Sequence, residues 1–109
     1  MARSLRERNQ REERNGSHME NLFTLVVEYG GGTYLSQVSA DTPREALLKW
    51  SMDHESAEGE ELPLGVFSGI RAQLQRGDDA VAISGSRNVW CISGVSEDKL
   101  ILIHVILTP

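Results

Sequence analysis

Apolar side chains recur along this chain with two periods, and each change of period marks an element. Leu22 to Glu28 (Leu-Phe-Thr-Leu-Val-Val-Glu) is rich in β-branched and aromatic residues. After Tyr29 and three glycines, the run Thr33-Tyr34-Leu35-Ser36-Gln37-Val38 resumes extended character. Together they predict a β-hairpin in which Gly30, Gly31 and Gly32 supply the positive φ values of a tight turn. A glycine triplet can also cradle phosphate, but such loops lead from a strand into a helix, often through Lys-Ser/Thr. This one leads into another strand-like run.

Thr42-Pro43-Arg44-Glu45 then announces a helix. Thr42 fits the N-cap, Pro43 the first helical position where its missing N–H is harmless, and Glu45 the third, from which it can complete a capping box. Ala46, Leu47, Trp50 and His54 follow at helical spacing, a face that can lie across the hairpin. Residues 55–61 are polar and acidic, with Gly59 as a stop, and read as a mobile loop. Leu62-Pro63-Leu64-Gly65 turns the chain back. Val66, Phe67, Ile70 and Leu74 mark a second, short amphipathic helix ending at Gly77.

Beyond the Asp78-Asp79 turn, Ala80 to Ser84 predicts a short strand broken by Gly85-Ser86, and Asn88 to Val95 predicts a longer one. Ser96 to Lys99 closes a hairpin into Leu100 to Thr108, a run apolar at both alternating sets of positions and so placed in the middle of a sheet. The prediction is one α+β domain of β-β-α-α-β-β(-β) order, a single antiparallel sheet with two helices on one face. Its expected core holds Phe23, Leu25 and Val27 or their alternates, with Leu47, Trp50, Ile70, Leu74, Trp90, Ile92, Leu102 and Ile106.

Gly16-Ser17-His18-Met19 reads as a cloning junction, which makes residues 1–18 a vector-derived or engineered charged arm and residues 19–109 the domain. The arm carries opposite charges four apart but little apolar surface beyond Leu5, so it is expected to add nothing to the core. Five of the eleven basic residues (Arg3, Arg6, Arg8, Arg11, Arg14) and three of the sixteen acidic ones (Glu7, Glu12, Glu13) precede the junction. That leaves six against thirteen, a net charge of −7. Such a balance argues against a nucleic-acid partner, whose phosphates need clustered Lys and Arg, and suits a basic protein. Leu100 to Leu107 is too short, and too interrupted by His104, to cross a membrane as a helix. One cysteine, Cys91, cannot staple a monomer, so a reducing cytoplasm is the expected compartment.

No residue pattern commits to catalysis, a cofactor or a metal. His54, between Asp53 and Glu55, belongs to a predicted helix end, where sequence neighbours point about 100° apart rather than converging. His104 shares its strand face with Leu100, Leu102 and Ile106 and reads as a hydrogen-bonded histidine at a core margin. Cys91, between Trp90 and Ile92 with no base nearby in sequence, reads as a buried, inert thiol. Ser84-Gly85-Ser86 lacks the Gly-x-Ser-x-Gly elbow of a nucleophile, and Asp78-Asp79 lacks the further oxygen donors of a cation loop. Asp53, Glu55, Glu58, Glu60 and Glu61 are five carboxylates in nine residues with no compensating base. They are a solvated loop or the docking surface for a basic partner.

The strand, the Gly-Gly-Thr-Tyr turn, the second strand and Ala40-Asp41-Thr42-Pro43-Arg44-Glu45-Ala46 resemble the start of HicB-type antitoxins, where a glycine-containing hairpin precedes a T-x-x-E-A helix. The likeness covers residues 22–50. Ser39-Ala40-Asp41 stands where that family has Pro-x-x-Pro-Gly, and no DNA-binding tail follows. The whole domain is similar in style to small, acidic bacterial proteins of the toxin-immunity kind, which implies a protein-binding inhibitor of a basic partner, with no individual residue role attached. Two other classes stay open. A self-associating structural protein, such as a homodimer, would expose an apolar sheet face or edge. A small enzyme would bring His54 or His104 to a carboxylate in a concave pocket.

Overall fold

A computed structural model describes residues 20–52 and 62–109. Within them the elements run β1 (Asn21–Tyr29), β2 (Gly32–Ala40), α1 (Pro43–Met52), α2 (Leu64–Gln75), β3 (Val81–Ala82), β4 (Val89–Ser96) and β5 (Lys99–Thr108). All ladders are antiparallel, and the five strands form one sheet in the order β2-β1-β5-β4-β3. The chain is an α+β protein, and β5 stands at the centre of its sheet, as its two-sided apolar pattern predicts. The arm over residues 1–18 and the predicted loop over residues 55–61 lie outside the described residues.

The first hairpin turns on two glycines rather than three. Gly30 and Gly31 have φ of 59° and 86°, while Tyr29 pairs with Gly32 as the first rung of the ladder. Two residues at positive φ are what this type of turn requires. Gly32 serves differently: a Cβ there would lie 2.9 Å from the Tyr34 hydroxyl oxygen. The β4–β5 hairpin makes the same kind of turn without glycine, with Glu97 and Asp98 at φ of 53° and 64°. Tyr29 ties the two turns together by donating its hydroxyl to the Ser96 carbonyl at 3.0 Å.

Helix α1 starts where its cap predicts. The Glu45 N–H donates to Thr42 Oγ1 at 3.1 Å, but the Glu45 carboxylate reaches one residue further back than a capping box, accepting the Asp41 N–H at 2.7 Å. Helix α2 begins at Leu64, so Leu64 and Gly65 are its first residues rather than part of a turn, and Pro63 is its cap with no side-chain hydrogen bond to offer. Its other end closes at Gly77, φ 106°, with the Asp78 N–H returning to the Gln73 carbonyl at 3.0 Å. Arg44 of α1 completes that end, its guanidinium donating to the carbonyls of Leu74 at 2.8 Å and Asp78 at 3.0 Å. A cation on helix-terminal carbonyls combines two charge-assisted bonds with a favourable dipole. Arg44→Ala is expected to lower the unfolding free energy by about 1–2 kcal/mol in urea denaturation. Arg44→Lys, which cannot span both carbonyls as a fork, should recover only part of that loss.

The core lies between the helices and one face of the sheet. Phe23, Leu25, Val27 and Tyr29 of β1, Ile92 of β4, and Ile101, Ile103 and Val105 of β5 are buried against Ala46, Leu47 and Trp50 of α1 and Val66, Phe67, Ile70 and Leu74 of α2. Trp50 and Phe67 join the helices, with ring centroids 4.7 Å apart. Trp90 is half-buried and meets Phe23 edge-on at 6.1 Å. Leu102 and Ile106, expected in the core, are on the other side. Alternation along β5 gives the core face to the odd-numbered residues, one residue out of register with the predicted core.

Candidate functional site

Alternation along each strand, carried across the ladders by their register, builds a second face that no described element covers. One row crosses the entire sheet. Leu35 of β2 pairs with Val26 of β1, Val26 with His104 of β5, His104 with Cys91 of β4, and Cys91 with Val81 of β3. Ile106 and Val89 flank this row on one side, and Leu102, Leu100 and Val95 on the other. Leu35, Val81, Val95 and Leu100 are 62–69% exposed, in contrast to the fully buried residues of the opposite face.

Apart from His104, the face is apolar in the middle, and it is polar at its ends. At one end Gln37 Nε2 donates to Thr24 Oγ1 at 3.0 Å, and the hydroxyls of Thr24 and Thr108 are 2.6 Å apart. At the other, beside the first hairpin turn, Glu28, Thr33, Leu100, Leu102 and the turn glycines line a hollow of about 320 Å³. Glu28 is the only Asp, Glu, Lys or Arg that the strands place on this face.

Cys91 and His104 are where the structure departs most from the sequence reading. His104 does share a face with Leu100, Leu102 and Ile106, but that face is the uncovered one rather than a core margin. Cys91 is half-buried, not buried, and the base that its strand lacks in sequence stands directly opposite on β5. The pairing was hidden because it depends on ladder register, which a thirteen-residue separation does not disclose. Burial pushes the Cys91 thiol above its ordinary value, so it is the neutral thiol that occupies this surface at pH 7. A thiol so held is a poor nucleophile at neutral pH, and the residue that stands opposite it in the ladder is His104.

Compared with protein-family models, curated proteins and solved structures, the chain matches none of them.

The remaining candidates resolve into local structure. Ser84-Gly85-Ser86 is the turn between β3 and β4, with Gly85 at φ 82° and the Ser86 N–H on the Ile83 carbonyl at 3.1 Å. Asp79 accepts the Ala80 N–H at 2.7 Å, and the Asp78 carboxylate lies 3.4 Å from the Gln73 amide, as turn residues do. Among the described residues, Glu20, Asp41 and Glu45 are the set whose ligand-type atoms gather within 4.8 Å. They are held within the fold: Lys49 Nζ is 3.1 Å from Glu20, and Glu45 accepts the Asp41 N–H. Sequence reading missed this gathering because Glu20 reaches it through strand pairing. Asp53, His54, Glu55, Glu58, Glu60 and Glu61 lie outside the described residues. No described helix is long and apolar enough to cross a membrane.

Proposed function

We propose that this chain is a protein-binding domain that works by burying the open face of its sheet against another protein surface. One observation carries the reading: a mainly apolar row, Leu35, Val26, Cys91 and Val81 with His104 at its centre, spans all five strands, and its outermost members Leu35 and Val81 are 67% and 69% exposed. Contiguous apolar patches beyond a few hundred Å² are rare on soluble monomers and mark interaction surfaces. A second reading, an immunity- or antitoxin-like inhibitor of a basic protein, draws support from the net charge of −7 beyond the junction, from the five carboxylates between residues 53 and 61, and from the T-x-x-E-A resemblance. A reducing cytoplasm suits either.

The readings separate in a quantitative pull-down from the host's own lysate at low and high salt. Bait is the wild-type chain, a face variant (Leu35→Glu with Val81→Glu) or an acidic-segment variant (Glu58→Gln, Glu60→Gln, Glu61→Gln). The open-face reading expects specific partners, untagged copies of the chain included, to survive high salt and to vanish with the face variant alone. Loss with the acidic-segment variant, or at high salt, would transfer binding to the charged segment.

A further inference from the structure

We infer that the open face is covered by a second copy of this chain, the two sheets packing face to face about a two-fold axis. The inference rests on the reading of that face as the binding surface, and it names the occupant. Three features select a second copy.

The first is area. Five strands about 4.8 Å apart, averaging about seven residues because β3 has only two, at about 3.3 Å per residue give a footprint of roughly 550 Å² per copy. Two copies then bury roughly 1,100 Å², which clears the lower bound for a specific interface and places the dimer at its weak end. The second is charge. Among the described residues the strands place one carboxylate, Glu28, at the rim of this face and one imidazole, His104, at its centre, too few charge-bearing groups to form a pattern for a basic partner to complement or to set two copies against each other. A sheet with one apolar face meets the same face of a copy as the two sheets of a β-sandwich meet, about 10 Å apart. The third is the rest of the chain. Residues 1–19 bring only Met1, Leu5 and Met19 as large apolar side chains, and residues 53–61 bring none, so neither segment has the apolar surface to cover the face.

In this arrangement the two β5 strands cross near the axis, with Cys91 on the neighbouring strand beneath the partner sheet. The chain has a single cysteine, and it becomes the reporter. The purified full chain is taken from about 1 μM to about 1 mM in about 0.15 M salt, which screens the repulsion between two acidic molecules. Sedimentation equilibrium reads the mass, and the reaction rate of Cys91 with a chromogenic disulfide reagent, at one pH, reads whether the face is covered.

The mass is expected to rise from one chain to two, and Cys91 to react at least about tenfold more slowly where the dimer dominates. Leu35→Glu with Leu100→Glu changes positions 67% and 62% exposed, leaves the circular dichroism unchanged, and should hold the chain monomeric with a fast-reacting thiol. Leu64→Glu, 66% exposed on α2 and away from the sheet, should change neither readout. A dimer that persists in the Leu35/Leu100 variant, or whose Cys91 reacts as fast as in the monomer, overturns the inference and moves association elsewhere, to the β2 edge for instance. A monomer at every concentration with a fast thiol also overturns it but leaves the face open for a different partner. A monomer with a slow thiol overturns both, because the face is then covered within one chain.

Discussion

Truncating Ile103 to alanine is expected to lower the unfolding free energy by about 3–4 kcal/mol, and truncating its neighbour Leu102 by no more than about 1 kcal/mol. Both are large aliphatic residues on the central strand, one position apart. Ile103 is fully buried between Val27 of β1 and Ile92 of β4, beneath the helices, so its removal loses transfer free energy and leaves a cavity that both neighbouring strands resist closing. Leu102 lies on the open face, where solvent can fill the space left behind. Equilibrium urea unfolding at low micromolar concentration measures both without a contribution from association. Equal losses, or a larger loss at Leu102, would mean that the helices cover the other face and that the candidate site is misplaced.

Trp50→Ala should be the most damaging single truncation in the helical layer, at about 3–5 kcal/mol. The indole is 4% exposed and packs tilted on Phe67, so it joins α1 both to α2 and to the sheet beneath. Removing it leaves the largest void that one helical side chain here can leave, and it ends an aromatic contact that contributes beyond its area. Trp50→Phe keeps a ring against Phe67 and should recover about half the loss, with near-ultraviolet circular dichroism following the change. A loss under about 1 kcal/mol for the alanine variant would show that α1 is held by other contacts.

Local signals were legible where the physics is local. Thr42-Pro43 set the start of α1, Gly77 the end of α2, and Gly30-Gly31 the first turn, because capping and positive φ are decided within a few residues. The central place of β5 was also legible, from its apolar pattern on both faces. What that pattern cannot say is which set of positions faces the helices. Ile101, Ile103 and Val105 are as apolar as Leu100, Leu102 and Ile106, and the choice falls to ladder register and to helices encoded far upstream. Leu102 and Ile106 therefore fall on the side opposite to the one their apolar character predicts, and an uncovered apolar face follows from the sequence only as one open alternative, with no residues assigned to it. Two helices on one side of a sheet whose middle strand is apolar on both sides leave one apolar side without a cover. The Cys91–His104 pairing was hidden for the same reason.

The sheet also constrains the order in which this protein can come into being. β1 is paired on one side by β2, its neighbour in the chain, and on the other by β5, with residues 30–98 between Tyr29 and Lys99. At about 5–20 residues per second, a ribosome releases β5 several seconds or more after β1. Through that interval the first hairpin and both helices exist without the strand that joins them to β4. The sheet is thus incomplete, with the inner edge of β1 unpaired, until residues 99–108 are available, and the core that Ile101, Ile103 and Val105 fill closes only then.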